Sequence, residues 1–331
     1  MKKILIIGGG SIGKRHLKNL LFLGEKDIMV VEVNPERANT LGKEYDITVV
    51  GSIGEAVNKK NFDIVFVCTP SVYHLENALS FVEQGCDLFI EKPLSHSLEG
   101  VDRLVAVVKE KKIVTMIGSN WKFYPLFQKM KELLEVGVIG KVLSARCESG
   151  QYLPDWHPWE DYRKGYSANK ELGGGILLDS HEFDYLTWFI GESVKKLACF
   201  SDRRSNLEID VEDTAAVILQ FTGGTIGEIH LDYTQRFPQR NFEFFGETGT
   251  ILWDATLKKV ILRSKESGET NFPLRDNYDL NNMYIEEVKH FLECIDERKE
   301  TNTPMERGAS IIKLIQAAKE SSEKNQIIFV S

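Results

Sequence analysis

Over its first 120 residues the chain alternates short, unbroken apolar runs with amphipathic stretches. The runs KILIIG, IMVVEV, DIVFVC, DLFI and VTMIGSN are rich in Ile and Val and lack the polar alternation of a strand with one wet face. Strands of that kind are buried on both faces, which calls for a parallel sheet with helices on each side. The segments Ile12–Leu23, Pro35–Tyr45, Val72–Gln84 and Leu94–Lys111 supply those helices. The expected class is α/β, a doubly wound parallel sheet forming a domain over residues 1–120.

Beyond a helix at Leu126–Glu135 the pattern changes. KVLSARCESG, VKKLACFS, DTAAVILQF, TIGEIHLDY, FEFFGE, GTILWD and KVILRS read as strands joined by short turns, with TGGT and ETGT as hairpin signals. They predict a large, mostly antiparallel sheet in a second domain over residues 121–331, interrupted by a helix near Gly175–Ile190. Helices at Asn281–Arg298 and Arg307–Asn325 close the chain.

The 331 residues suffice for two domains. With 41 basic and 49 acidic side chains the net charge is −8, which argues against nucleic acid or an anionic membrane as the main partner. MKKILIIGGG begins with two lysines, but its apolar run stops in glycines and reads as a strand rather than a signal peptide. No apolar run reaches the length of a membrane helix, about 18 residues. Cys68, Cys86, Cys147, Cys199 and Cys294 are odd in number and scattered through apolar stretches, which fits free thiols in a reducing cytoplasm. No CxxC, HExxH or His/Cys cluster is present, so no metal is expected.

Gly8, Gly10 and Gly13 form G-x-G-x-x-G directly after the first strand, with Ser11 and Ile12 opening the helix that follows. In that setting the glycines permit a tight turn, close approach of the backbone to a pyrophosphate, and close packing of helix on strand. Glu32 ends the second strand, where a carboxylate accepts hydrogen bonds from the adenosine ribose hydroxyls, and Asn34 and Arg37 follow it. An acid there repels a 2′-phosphate, so NAD is expected rather than NADP; Arg37 is the feature that speaks for NADP. Two further strands end in Cys68-Thr69-Pro70 and Glu91-Lys92-Pro93, and in open parallel sheets such ends face the ligand. A lysine facing a nicotinamide is partly desolvated and suited to proton transfer or to polarising a substrate oxygen. Asn120 is placed near the nicotinamide and His74 as a support of the cofactor loop. His16, His96, His230 and His290 read as structural or surface residues.

These features together resemble the Gfo/Idh/MocA family of NAD(P)-dependent sugar and polyol oxidoreductases. The resemblance runs in order through GGGSIGKRH (8–16), EVNPER (32–37), CTPSVYH (68–74), EKPL (91–94), GSNWKFYP (118–125), VIGKV (138–142), GGGILLDSHEFD (173–184) and FFGETGTILWD (244–254). It implies a Rossmann domain followed by an open-sheet α/β domain whose sheet face serves oligomerisation, as a homodimer or homotetramer. It also implies that Lys92 is the active-site lysine, often preceding a cis proline, and His181 the active-site histidine.

One departure bears on the chemistry. Many relatives carry D-x-x-x-H with acid and imidazole one helical turn apart; here the order is Asp179-Ser180-His181, and residues two apart on a helix do not face each other. Either Asp179 lies before the helix and points inward, or the enzyme works without it, and Asp184 is the better placed acid to orient His181.

The segment 152–175 is aromatic, charged and too long for a passive connection. Trp156, His157, Trp159 and Tyr162 are candidates to stack on a sugar ring or cover the nicotinamide, and Arg163 and Lys164 to pair with an anionic group. The alternative is a segment packed into a subunit interface. Arg236 and Arg240 fit either setting.

The expected activity is hydride transfer between nicotinamide and a hydroxyl-bearing carbon of a small-molecule sugar or sugar derivative, including nucleotide-activated or surface-polysaccharide sugars. His181 removes the hydroxyl proton while Lys92 polarises the oxygen, or the proton passes through Lys92 with His181 orienting. An NAD-dependent glycosidase working by transient oxidation, and an NAD-binding sensor without turnover, are the other readings.

Overall fold

The computed structural model describes residues 2–156, 158, 160–179, 181–266 and 268–330. Two compact units emerge, Met1–Asn120 with Leu280–Ile312, and Trp121–Asp279 with Lys313–Ser331. The first holds strands β1 (Ile4–Ile7), β2 (Ile28–Val31), β3 (Thr48–Val50), β4 (Ile64–Val67), β5 (Asp87–Ile90) and β6 (Thr115–Ile117). All pair in parallel, in the order β3-β2-β1-β4-β5-β6. Between them run α1 (Ser11–Phe22), α2 (Pro35–Tyr45), α3 (Ile53–Lys59), α4 (His74–Val82) and α5 (Val101–Lys111). Every residue of β1, β4 and β5 is buried, as their unbroken apolar sequences require. The order reverses at β1 and β4, so the crevice at the carboxyl ends of these strands is where the loops carrying Gly8 and Cys68 meet.

The second unit opens with α6 (Pro125–Val136), β7 (Val142–Gly150), α7 (Ile176–Asp179) and α8 (Glu182–Ile190). Its strands continue as β8 (Val194–Asp202), β9 (Thr214–Phe221), β10 (Ile226–Asp232), β11 (Gln239–Gly246), β12 (Gly249–Asp254), β13 (Lys259–Ser264) and β14 (Gly268–Pro273). With these stands β15 (Ile328–Phe329), in a nine-stranded sheet of order β14-β13-β12-β11-β7-β10-β9-β8-β15. Among the described residues of this sheet only β7 and β10 pair in parallel. Burial alternates along β9 and β10, so one face is core and the other is open. The core face is aromatic: Phe127 of α6 meets Tyr185 and Phe189 of α8 and Phe242 and Trp253 of the sheet, with ring centroids 4.9–5.4 Å apart.

The last helices are α9 (Asn281–Glu297) and α10 (Met305–Lys324). The sequence pattern places everything after residue 120 in one domain, whereas residues 280–312 pack with the first unit. The reason is visible in the side chains. Phe291 of α9 sits edge-on against Phe66 and Phe89, Arg298 pairs with Asp87 at 2.7 Å, and the Thr303 carbonyl accepts from Ile117 N.

Three local differences have equally plain causes. The stretch 94–100, expected to be helical, stays outside α5, which begins after Gly100 in a left-handed conformation. The expected helix over 175–190 is two helices, α7 and α8, with His181 at the cap of the second. β14 carries the polar sequence GETNFP at a sheet edge, where no apolar alternation is needed.

Phe127 has no exposed surface and is touched by rings on most sides. Phe127→Ala is expected to destabilise the second unit by about 3–5 kcal/mol, seen as a lower midpoint in urea unfolding followed by tryptophan fluorescence.

Candidate functional site

In the first unit the glycine turn is sterically closed to a side chain at Gly8 and Gly13. Gly8 has φ +98°, and a Cβ there would lie 2.7 Å from the Cys68 carbonyl oxygen; at Gly13 a Cβ would run into the Gly8 carbonyl. Gly10 caps α1 with no side chain occupying the first-turn N–H groups, so these amides are available to an anion.

Glu32 is buried, and its carboxylate accepts from Gly9 N at 2.9 Å and Asn34 N at 2.7 Å, with Arg37 Nε 3.3 Å away. Asn34 in turn accepts from Arg37 N and caps α2. The predicted trio Glu32, Asn34 and Arg37 is thus one hydrogen-bonded group beside the glycine turn. A closed glycine turn, open helix amides and an adjacent carboxylate fit a dinucleotide, which would lay its pyrophosphate on α1 and its ribose against Glu32.

The loops after β4 and β5 are tied to each other. His74, buried, reaches the Thr69 carbonyl through Nε2 (2.7 Å) and the Pro93 carbonyl through Nδ1 (2.8 Å), and burial pushes its pKa down against the pull of those two oxygens. Thr69 Oγ1 also accepts from Asn77. Burial pushes the Cys68 thiol well up, with the charge of Glu91 adding to it. The Lys92–Pro93 peptide is cis. Glu91 accepts from His16 Nε2 at 2.6 Å and from Lys92 N at 3.3 Å, and a Cβ at Gly118 would sit 3.0 Å from its carboxylate. Burial opposes ionisation of Glu91, but the His16 hydrogen bond and the charges of His16, Lys92 and His74 outweigh it and hold the carboxyl below its ordinary value. Asn120 is buried, and its amide nitrogen has no hydrogen-bond partner among the described residues.

The second unit holds the other candidates. His181 stands at the cap of α8, its ring parallel to Tyr185 (5°, centroids 5.3 Å) with Tyr185 Oη 3.2 Å from Nδ1. Asp179 ends α7, before the helix, and accepts from Ser167 Oγ (2.7 Å), Tyr233 Oη (3.2 Å) and Tyr166 Oη. Burial and the Asp179 charge push the Tyr233 phenol well above its ordinary value. Asp184, expected to orient His181, is paired with the fully buried Lys122 (Nζ–O 2.7 Å). Glu182, also buried, pairs with Arg240 at 2.6 Å.

In the segment 152–175, Trp156 packs edge-on to Tyr233, and its indole nitrogen has no hydrogen-bond partner among the described residues. Arg163 is exposed and engaged by Asp161 and Glu208, Tyr162 Oη accepts from Glu208 N, and Lys164 is exposed. His157 and Trp159 lie outside the described residues.

Sequence reasoning missed Lys122, Glu182 and Tyr185. Lys122 and Glu182 stand in motifs read for Asn120 and His181, and Tyr185 at i+4 from His181 was the available signal. His16, read as structural or surface, is buried against Glu91.

Residues 2–119 match the oxidoreductase family with an NAD-binding Rossmann fold, GFO_IDH_MocA, and residues 127–252 match the GFO/IDH/MocA C-terminal domain. The chain belongs to the GFO/IDH/MocA family. It is a nicotinamide-dependent oxidoreductase of that family, with the two-sheet α/β architecture anticipated from the sequence. It is 28% identical over 345 residues to myo-inositol 2-dehydrogenase of Thermotoga maritima, covering 98% of each chain. It is 25% identical over 313 residues to 1,5-anhydro-D-fructose reductase of Ensifer adhaerens, covering 92% of this chain and 91% of the relative. Among solved structures, a probable dehydrogenase from Thermotoga maritima superposes with a TM-score of 0.81 at 26% identity, covering 99% of this chain and 98% of the other.

The depressed Glu91 pKa makes its ionised form a source of stability above the ordinary value of 4.5, lost as pH falls through the lower folded value. Wild type is therefore expected to exceed Glu91→Gln in melting temperature near neutral pH. The gap should narrow as the pH is taken below 4.5, read by thermal melts across pH.

Proposed function

We propose that the protein is an NAD-dependent dehydrogenase of a sugar or sugar-like polyol, with Lys92 and His181 handling the hydroxyl that is oxidised. The observation that carries this is Lys92 at the carboxyl end of β5, beside a dinucleotide turn, in a chain that aligns end to end with a named inositol dehydrogenase. When bound, the nicotinamide supplies the hydride acceptor or donor. His181 takes the hydroxyl proton, and the Lys92 ammonium hydrogen-bonds the same oxygen and stabilises its developing carbonyl; in reduction His181 returns the proton while Lys92 keeps its hydrogen bond to that oxygen. Asp179 with its three hydroxyl partners, Trp156 and Tyr162 belong to the sugar-binding wall, with His157, Trp159, Arg163 and Lys164 as further contacts.

NAD is favoured over NADP because the Glu32 carboxylate stands where a 2′-phosphate would lie, and because Arg37 is held by that same carboxylate. The five thiols are buried and unpaired, which supports a reducing, cytoplasmic setting. Among the described residues no helix is long and apolar enough to cross a membrane.

The test is NADH formation with NAD or NADP and a panel of inositols, anhydro-sugars, sugar acids and nucleotide sugars, which also separates free polyols from nucleotide-activated sugars. Turnover with NAD is expected to exceed that with NADP by about tenfold, and Lys92→Ala to lower kcat by about 100-fold or more. Release of aglycone from glycosides without net NADH would replace this reading with the glycosidase one. NAD binding with no turnover in either assay, unchanged by Lys92→Ala and His181→Ala, would leave a sensor.

The open sheet face supports homo-oligomerisation: Phe200 and Ile218 are 75% and 48% exposed, and Ile226 and Phe329 flank them. Ile218→Arg is expected to reduce the mass measured by light scattering to that of one chain; an unchanged mass would remove this face as the interface.

A further inference from the structure

We propose that Tyr185 is the positioning residue of the His181 imidazole, with the Glu182–Arg240 pair fixing the turn that carries it. The inference rests on the reading of His181 as the proton-handling group. Its starting point is the short spacing in Asp179-Ser180-His181. Because α7 ends at Asp179 and α8 begins at Glu182, acid and imidazole are not successive turns of one helix. Asp179 is held by Tyr166, Ser167 and Tyr233, and Asp184 by Lys122.

Tyr185 stands one turn along α8 from His181, on the same face. Its hydroxyl lies 3.2 Å from Nδ1 and its ring is parallel to the imidazole. Tyr185 cannot swing away: it has no exposed surface, Phe127 abuts it edge-on at 5.4 Å, and the Arg240 guanidinium lies 5.5 Å from its ring centre. The backbone is fixed as well. His181 N donates to Glu182 Oε2 at 2.9 Å, while Glu182 Oε1 accepts from Arg240 Nε at 2.8 Å and Nη2 at 2.6 Å. Arg240 therefore holds the cap residue through Glu182 and touches the ring that orients the imidazole.

A phenol suits this task because its oxygen can accept a hydrogen bond from Nδ1–H while Nε2 takes or returns the substrate proton. In the tautomer protonated at Nδ1 the contact serves that step, and it places no negative charge against the ring. No atom or electron is transferred to Tyr185, which acts only through His181.

Tyr185→Phe keeps the ring and removes the hydroxyl. With the polyol turned over best in the panel above, kcat is expected to fall about tenfold while KM stays within about twofold. The imidazole nitrogen-15 spectrum of the wild type is expected to show a single tautomer protonated at Nδ1, and the variant an average of both tautomers. Unchanged kcat in Tyr185→Phe, beside a His181→Ala enzyme that has lost activity, would overturn the inference and leave the reading of His181 standing. Full activity in His181→Ala would overturn both. Averaged tautomers in the wild-type spectrum would overturn the inference without any substrate and without reliance on the variant folding.

Discussion

Each strand of the parallel sheet delivers its carboxyl end toward one crevice, and β5 brings there a carboxylate that burial disfavours. Glu91 remains ionised because His16 reaches it from α1 at 2.6 Å and the charges of Lys92 and His74 lie near it. Through that one acid, the helix that presents the glycine turn is linked to the loop that presents Lys92. His74 makes the matching link between the loops after β4 and β5. Removing one partner of such a buried pair costs far more than the pair contributes when intact, because the remaining charge is stranded. The relative placement of cofactor turn and lysine is thereby fixed by polar contacts, while the apolar strands behind them supply the bulk of the stability.

The second unit follows the same logic with different chemistry. Its core is a continuous set of aromatic rings, and two ion pairs, Lys122–Asp184 and Glu182–Arg240, are set at the edge of it on α8 and its neighbours. Buried pairs of this kind contribute little net stability but admit few alternative arrangements. Around His181 they restrict the turn, the ring and the neighbouring tyrosine at once.

Much of this was legible in the sequence, and the reasons differ by element. Unbroken Ile/Val runs dictate a parallel sheet because nothing polar is available for a wet face, and G-x-G-x-x-G after the first run locates the crevice. Lys92 could be singled out as an ionisable residue at a strand end, and His181 through the resemblance that GGGILLDSHEFD carries. The partners of those residues were harder to read. Asp184 lies at a plausible spacing from His181, but its pairing with Lys122, 62 positions away in sequence, is a match for which a one-dimensional pattern carries no term. The break between α7 and α8 was hidden in the same way, since an apolar stretch running through GILLD and into EFDYL reads as one helix. The return of residues 280–312 to the first unit depends on Phe291 meeting Phe66 and Phe89, contacts that periodicity cannot announce.

That return makes the nucleotide-binding unit discontinuous in the chain. During synthesis the six parallel strands leave the ribosome early, but the helix that covers Phe66 and Phe89 begins only at Asn281, and the arginine that meets Asp87 is Arg298. Until then the growing chain carries an apolar surface with no native cover. The unit that is first in sequence is therefore among the last parts of the protein to be finished.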